Sequence, residues 1–263
     1  MDSSQISDAP APASSQAELF LFRRFAFLSG LLFLFGFPLL DALAPDTLRL
    51  FLAKDDDSMG PHLIENLTVL SLFPAIAAGL FAFRKRVHPP ARPLFRFWPL
   101  LWALACLYFA GEEISWGQWL FHWNTPETLA TLNDQGETNL HNISSWLDQK
   151  PRALVEVFII TAGLLLPMWQ RTSKPAPHKT NWMTDGVHWI TAPAALIPAT
   201  LLFLTIRVFD WFPSQTLPNL DNSELREFTI AWFLMLYLLS YLFRPEAREA
   251  NASIPFCEKS RRQ

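Results

Sequence analysis

The stretch FRFWPLLWALACLYFAGEEISWGQW, residues 95–119, carries no charged side chain between Arg96 and Glu112 and then presents two carboxylates in succession. An amphipathic helix on a soluble core would alternate apolar and polar faces, whereas an unbroken apolar run of roughly 20 residues matches the thickness of a hydrocarbon layer. Blocks of the same kind recur at Leu19–Leu43, Leu63–Phe83, Ala153–Trp169, Val187–Phe209 and Phe228–Phe243. Six blocks predict an all-α polytopic membrane bundle of six transmembrane helices. The fourth and sixth are short and draw on flanking residues to complete a crossing. Trp98, Trp116, Trp119, Trp169 and Trp211 stand near block ends, where an amphipathic indole suits the headgroup layer. On this reading residues 19–243 form the transmembrane domain, with an outer loop at 120–152. Residues 1–18, rich in Ser, Ala and Pro, are expected to be a disordered tail, and 244–263 a basic tail.

Overall composition does not decide the class, because 51 % hydrophobic residues is also compatible with a soluble chain. The distribution of charge adds what composition cannot. With the N-terminus placed in the cytoplasm, only Arg49, Lys54, Lys150, Arg152, Arg207 and Arg226 of the 21 Lys and Arg fall on the outer side. The positive-inside rule therefore predicts both termini in the cytoplasm. Carboxylates contribute little to that rule, yet 17 of the 24 then lie on the outer side. Arg23 and Arg24 near the start of the first block, with Ala42-Leu43-Ala44 at its end, resemble a signal peptide, but Pro45 follows at the cleavage point and the block exceeds an ordinary signal core. The first block is accordingly read as a retained span. Cys106 lies inside a span and Cys257 in the tail, so no disulfide between them is expected. No basic stripe suggests nucleic acid, and membrane lipids are the partners that composition implies.

Carboxylates inside or against the apolar blocks, namely Glu65, Glu112, Glu113, Glu156 and Glu227, are costly in lipid and should face the bundle interior or a wet cavity. On a helix Glu112 and Glu113 project about 100° apart, so one of them is expected to turn toward a neighbouring helix. Ser115 and Trp116 would share a face with Glu112, while Gly111 and Gly117 would let another backbone come close. Farther on, Gln135-Gly136-Glu137-Thr138-Asn139-Leu140-His141-Asn142 places Glu137 and His141 four residues apart, on one face if helical, with Gln135, Asn139 and Asn142 on another. Glu113, Glu137 and His141, with Glu112, read as a divalent-cation site for zinc, manganese or iron. The alternative is an amphipathic loop helix lying on the membrane. Glu65 opens the second span, and Glu224 and Glu227 open the sixth, all at the level of the Glu pair. Together with Ser115, Trp116, Gln118, Gln135, Asn139 and Asn142 they are the predicted pocket lining.

The sequence contains no His-Glu-x-x-His, no Gly-x-Ser-x-Gly, no P-loop and no dinucleotide fingerprint. The Glu-x-x-His of carboxylate di-iron bundles is missing as well, since Glu137 and His141 are one residue too far apart. The motif pair Gly111–Gln118 and Gln135–Asn142, with the acidic run Asp55 to Gly60 leading into Glu65, resembles a group of functionally uncharacterised bacterial multi-pass membrane proteins over roughly residues 50–145. The resemblance implies a bacterial inner membrane and no particular activity. Three functions remain open at this level: a metal-dependent hydrolase or transferase acting on a lipid or lipid-linked substrate, with Glu112 or Glu113 as general base; a proton- or cation-coupled transporter; and a non-catalytic scaffold or accessory subunit.

Overall fold

A computed structural model describes residues 13–52, 63–87, 93–131, 138, 145–172, 182–211 and 222–244, and these are all helix or short connection. In chain order the helices are α1 (Ala13–Leu43), α2 (Pro45–Leu52), α3 (Leu63–Arg84), α4 (Phe97–Glu113), α5 (Gln118–Phe121), α6 (Glu127–Ala130), α7 (Ser145–Ile160), α8 (Leu166–Thr172), α9 (Trp182–Ile190), α10 (Ile197–Trp211) and α11 (Asn222–Ser240). Among the described residues five continuous segments are long and apolar enough to cross a membrane: Gln16–Leu43, Leu63–Arg84, Pro93–Glu113, Gln149–Thr172 and Ser223–Phe243. The fourth and sixth blocks thus gain flanking residues, as their shortness requires.

α11 is the hub. Its apolar window is 78 % buried against 11 % for α1, and it packs on α3, α4, α7 and α10, whereas α1 lies mainly on α10. The exposed Phe20, Leu28, Leu32, Phe35 and Leu39 of α1 are what a lipid-facing surface needs. Around α11 the core is aromatic: Phe158 stacks on Trp102 at 4.0 Å between ring centroids and meets Tyr237 edge-on at 5.1 Å.

The fifth block does not form the single helix that its apolar length suggests. α9 stops at Ile190, and the next helical segment starts at Ala194, leaving an apolar helix of only 16 residues, Ala194–Phe209. Pro193 explains the stop, because proline has no N–H to continue the ladder and disfavours helical geometry in the residue before it. The orphaned groups at the break find partners elsewhere in the bundle. Ala192 N donates to Ala162 O at 2.9 Å, and Ala162 belongs to a π-helical turn, Thr161–Leu165, that links α7 to α8. Such a turn widens the helix by one residue and disturbs its regular hydrogen-bond ladder. The last carbonyls of α9 accept from the far end of α11: Tyr241 Oη donates to Trp189 O at 2.9 Å, Tyr237 Oη to Ile190 O at 2.9 Å, and Arg244 to Trp189 O at 2.6 Å and Thr191 O at 3.2 Å. A cation at a helix C-terminus also complements the helix dipole. At Gly163 the packing is close enough that a Cβ would fall on Thr200 Oγ1 and 2.7 Å from Phe233 Cε2. The break is therefore held in place from two sides.

Candidate functional site

Helix direction places the N-termini of α3, α7 and α11 at the same end of the bundle as the C-terminus of α4, and each contributes a charged group there. α4 ends with Glu112 and Glu113. The chain then leaves the helix through three successive positive φ angles, at Ser115 (45°), Trp116 (54°) and Gly117 (94°), closed by Gly117 N donating to Ile114 O at 2.8 Å. This region suits glycine and is unfavourable for tryptophan. Two contacts offset the cost at Trp116. Its indole Nε1 donates to Glu112 Oε1 at 2.7 Å, and its ring lies on Gly111, where any Cβ would sit 2.9 Å from the ring carbons. The expected pairing of Trp116 with Glu112 is thus present, but through a left-handed turn and not along one helical face. Gly111 seats the indole and Gly117 takes a left-handed φ.

Glu112 and Glu113 part ways as their 100° separation demands. Glu113 turns to α11, where one carboxylate oxygen from each of Glu113, Glu224 and Glu227 lies within 4.8 Å of the others. The Glu113 carboxylate lies beside that of Glu227, with Glu224 and Glu65 in electrostatic range. Glu227 also forms an ion pair with Arg152 at the start of the α7 span, and Arg152 reaches Ser223 Oγ at 3.5 Å. Three carboxylates within 4.8 Å of one another repel when all are ionised. A buried group of this kind is satisfied by shared protons or by a coordinated cation. Among the described residues these three carboxylates are the group close enough to hold a metal ion.

Beside the triad is a cavity of about 140 Å³. Its polar end is Glu112, Glu113, Arg152 and Glu227, and its remaining wall is apolar, including Tyr108, Phe109, Val155, Ile230 and Leu234. A second ionic centre lies apart from this cavity. Glu156 of α7 meets Arg207 of α10 at 3.2 Å and Arg226 of α11 at 3.7 Å, so this intramembrane carboxylate ties three helices together.

Of the predicted lining, the structure brings Glu113, Glu224 and Glu227 together, with Glu65 near and Glu112 and Trp116 adjoining. Ser115 is buried in the turn. Gln118 has a different role: its Oε1 accepts from Thr138 N at 2.6 Å and its Nε2 donates to Thr125 Oγ1 at 3.1 Å, while Thr125 and Thr138 join hydroxyls at 3.2 Å. The two sequence motifs are thereby linked directly, Gln118 from one and Thr138 from the other. Gln135, Glu137, Asn139, His141 and Asn142 lie outside the described residues; among those described, the cation set is Glu113, Glu224 and Glu227. Arg152 is the member that sequence reasoning passed over as a loop cation. Its signal was its position, four residues ahead of Glu156 on the turn that opens an apolar block.

Fold and site together define a polytopic membrane protein with a carboxylate triad, able to hold a metal ion, at one end of its helix bundle. No protein-family model, no curated protein and no solved structure matches the chain.

Proposed function

We propose that the protein is a divalent-cation-dependent enzyme that hydrolyses or transfers a group on a lipid or lipid-linked substrate at the outer leaflet of a bacterial inner membrane, with six spans and both termini in the cytoplasm. The observation that carries this reading is the cavity: a carboxylate triad and an arginine at one end, an apolar wall behind, and a position at one end of the bundle. Oxygen-only ligands suit hard cations such as magnesium, manganese or calcium. The cation would activate water at neutral pH, in a chain without a visible Ser or Cys nucleophile arrangement. Glu112, fixed by the Trp116 indole and facing the same cavity, is positioned to take a proton. Arg152 is suited to orient an anionic headgroup. Tyr108, Ile230 and Leu234 offer an apolar seat for acyl chain. The orientation rests on the arginine and lysine asymmetry and the location on the resemblance of the motif pair.

The test is chromatography of lipids from proteoliposomes of bacterial polar lipids incubated with manganese or magnesium. A headgroup product that appears with wild type, disappears with chelator and is absent with Glu113→Gln supports the proposal. Unchanged lipids under every cation refute catalysis on these lipids. One observation favours a second reading, a proton- or cation-coupled transporter: the fifth block is discontinuous, as substrate-binding helices of transporters often are. Cation flux in the same vesicles, abolished by Glu113→Gln without any lipid product, would put transport first.

A further inference from the structure

The end of the bundle opposite the triad holds a larger cavity, about 370 Å³, walled by α1, α8, the α9–α10 break and the end of α11. Along α11 this end lies roughly 30 Å from Glu224, at 1.5 Å per helical residue. Arg23, Arg171, His188 and Arg244 line it, and among the described residues no carboxylate does. Arg244 is committed in part, since it donates to the carbonyls of Trp189 and Thr191 and lies 3.9 Å over the Tyr241 ring. Arg23, Arg171 and His188 form no ion pair with any carboxylate among the described residues. Polar neighbours complete the wall. The Gln170 amide donates to Thr191 Oγ1 at 2.9 Å, and Ser240 is buried beside it. Leu19 and Phe22 of α1 form the apolar margin, continuous with the exposed Phe20, Leu21 and Phe25 of the same helix.

Unrelated interfacial arginines would be expected to spread into the headgroup layer, each with its own water. Here they come from three separate elements and line one open cavity. Three guanidiniums, with no carboxylate among the described residues of the lining, make a site for an anion with several acceptor oxygens. Guanidinium forks match phosphate geometry, and basic pockets between membrane helices take phosphorylated headgroups. The apolar margin gives a diacyl chain somewhere to lie. From these observations we infer that the cavity lined by Arg23, Arg171 and Arg244 is a phosphate-binding site, occupied by the headgroup of an anionic phospholipid. Its position away from the triad makes it a site for a bound lipid that is not the substrate, holding α1 against the broken fifth span.

The experiment uses the full-length protein in detergent, with short-chain phosphatidylglycerol, short-chain phosphatidylcholine and inorganic phosphate as separate probes and thermal stability and binding as readouts. Arg24 supplies the control: it is next to Arg23 in sequence, sits over the Phe20 ring at 4.6 Å and does not line the cavity. Saturable phosphatidylglycerol binding, weakened about fivefold by Arg23→Gln or Arg171→Gln and about 25-fold by both, is the expected result, with Arg24→Gln changing it less than twofold. Phosphatidylcholine should bind at least tenfold more weakly. Inorganic phosphate that displaces the lipid and binds equally well would retain the phosphate site and identify free phosphate as its source. Equal losses for Arg23→Gln and Arg24→Gln would reduce the effect to diffuse surface attraction and overturn the inference, as would the absence of saturable binding by either probe. Retention of wild-type thermal stability by the Arg171→Gln protein in phosphatidylcholine micelles separates loss of the site from loss of the fold.

Discussion

Replacing Arg152 by Met isolates the electrostatics of the acidic cluster, because methionine keeps most of the stem and removes the one cation paired with Glu227 among the described residues. Removing one partner of a fully buried ion pair costs about 3–5 kcal/mol, since the other charge is left uncompensated. The side chains of Arg152 and Glu227 are 20 % and 12 % exposed, so solvent lowers the figure here to about 2–3 kcal/mol. At roughly 2–4 °C per kcal/mol for a chain somewhat smaller than this one, the Arg152→Met protein should melt about 5–10 °C below wild type in chelator. A divalent cation supplies the missing charge. At a hundredfold excess over its dissociation constant a ligand adds about 2.7 kcal/mol, enough to recover most of the loss. Wild type should gain less at the same cation concentration, because there the cation competes with Arg152 for Glu227. Fluorescence-detected unfolding in detergent, which can use the 11 tryptophans, follows both effects. An Arg152→Met protein that melts with wild type, or that responds to cations no more than wild type does, would refute the account of Arg152 as the internal counter-charge.

Other substitutions test separate parts of the structure. Gly163→Ala should destabilise by about 1–3 kcal/mol through overpacking against Thr200 and Phe233, whereas Gly36→Ala, with open space around the added methyl, should not destabilise; thermal unfolding of the pair compares them directly. Glu156→Gln leaves Arg207 and Arg226 without their shared carboxylate and should lower stability by about 2–4 kcal/mol, with no change in cation affinity because Glu156 is outside the triad. Trp116→Phe removes the indole donor to Glu112 and should cost about 1–2 kcal/mol while preserving ring contact with Gly111, measured by the same melting curves. Gln118→Ala should free the loop tied through Thr138, seen as faster amide exchange at Thr138 and its neighbours.

The membrane class was legible because unbroken apolar blocks between charged ends have few other physical explanations. The extra residues of the fourth and sixth spans were foreseeable for the same reason, since a block shorter than the hydrocarbon layer must borrow from its flanks. The broken fifth block was not anticipated. Its hydropathy is continuous, and hydropathy does not see that Pro193 stops the ladder or that Tyr237, Tyr241 and Arg244 stand ready to cap the freed carbonyls. The acidic pocket was read in outline from the positions of Glu113, Glu224 and Glu227 at the ends of different blocks. Arg152 was missed because an arginine at a block edge looks like any interfacial cation until a partner helix brings Glu227 to it. The left-handed turn at Ser115 and Trp116 was also beyond sequence reasoning, as neither residue favours positive φ and the compensation depends on three-dimensional contact with Glu112 and Gly111.

The triad's capacity to bind a cation in the folded protein is the claim on which the proposed function depends. Elemental analysis of the full-length protein, purified in detergent after exposure to manganese and magnesium and freed of loose metal by gel filtration, measures it directly. The account predicts close to one divalent ion per chain in wild type and in Arg152→Met, and loss of that ion in a Glu113→Gln, Glu227→Gln variant that still elutes as a folded protein. Wild-type protein without bound metal, or a folded double variant that retains the same metal as wild type, would contradict it.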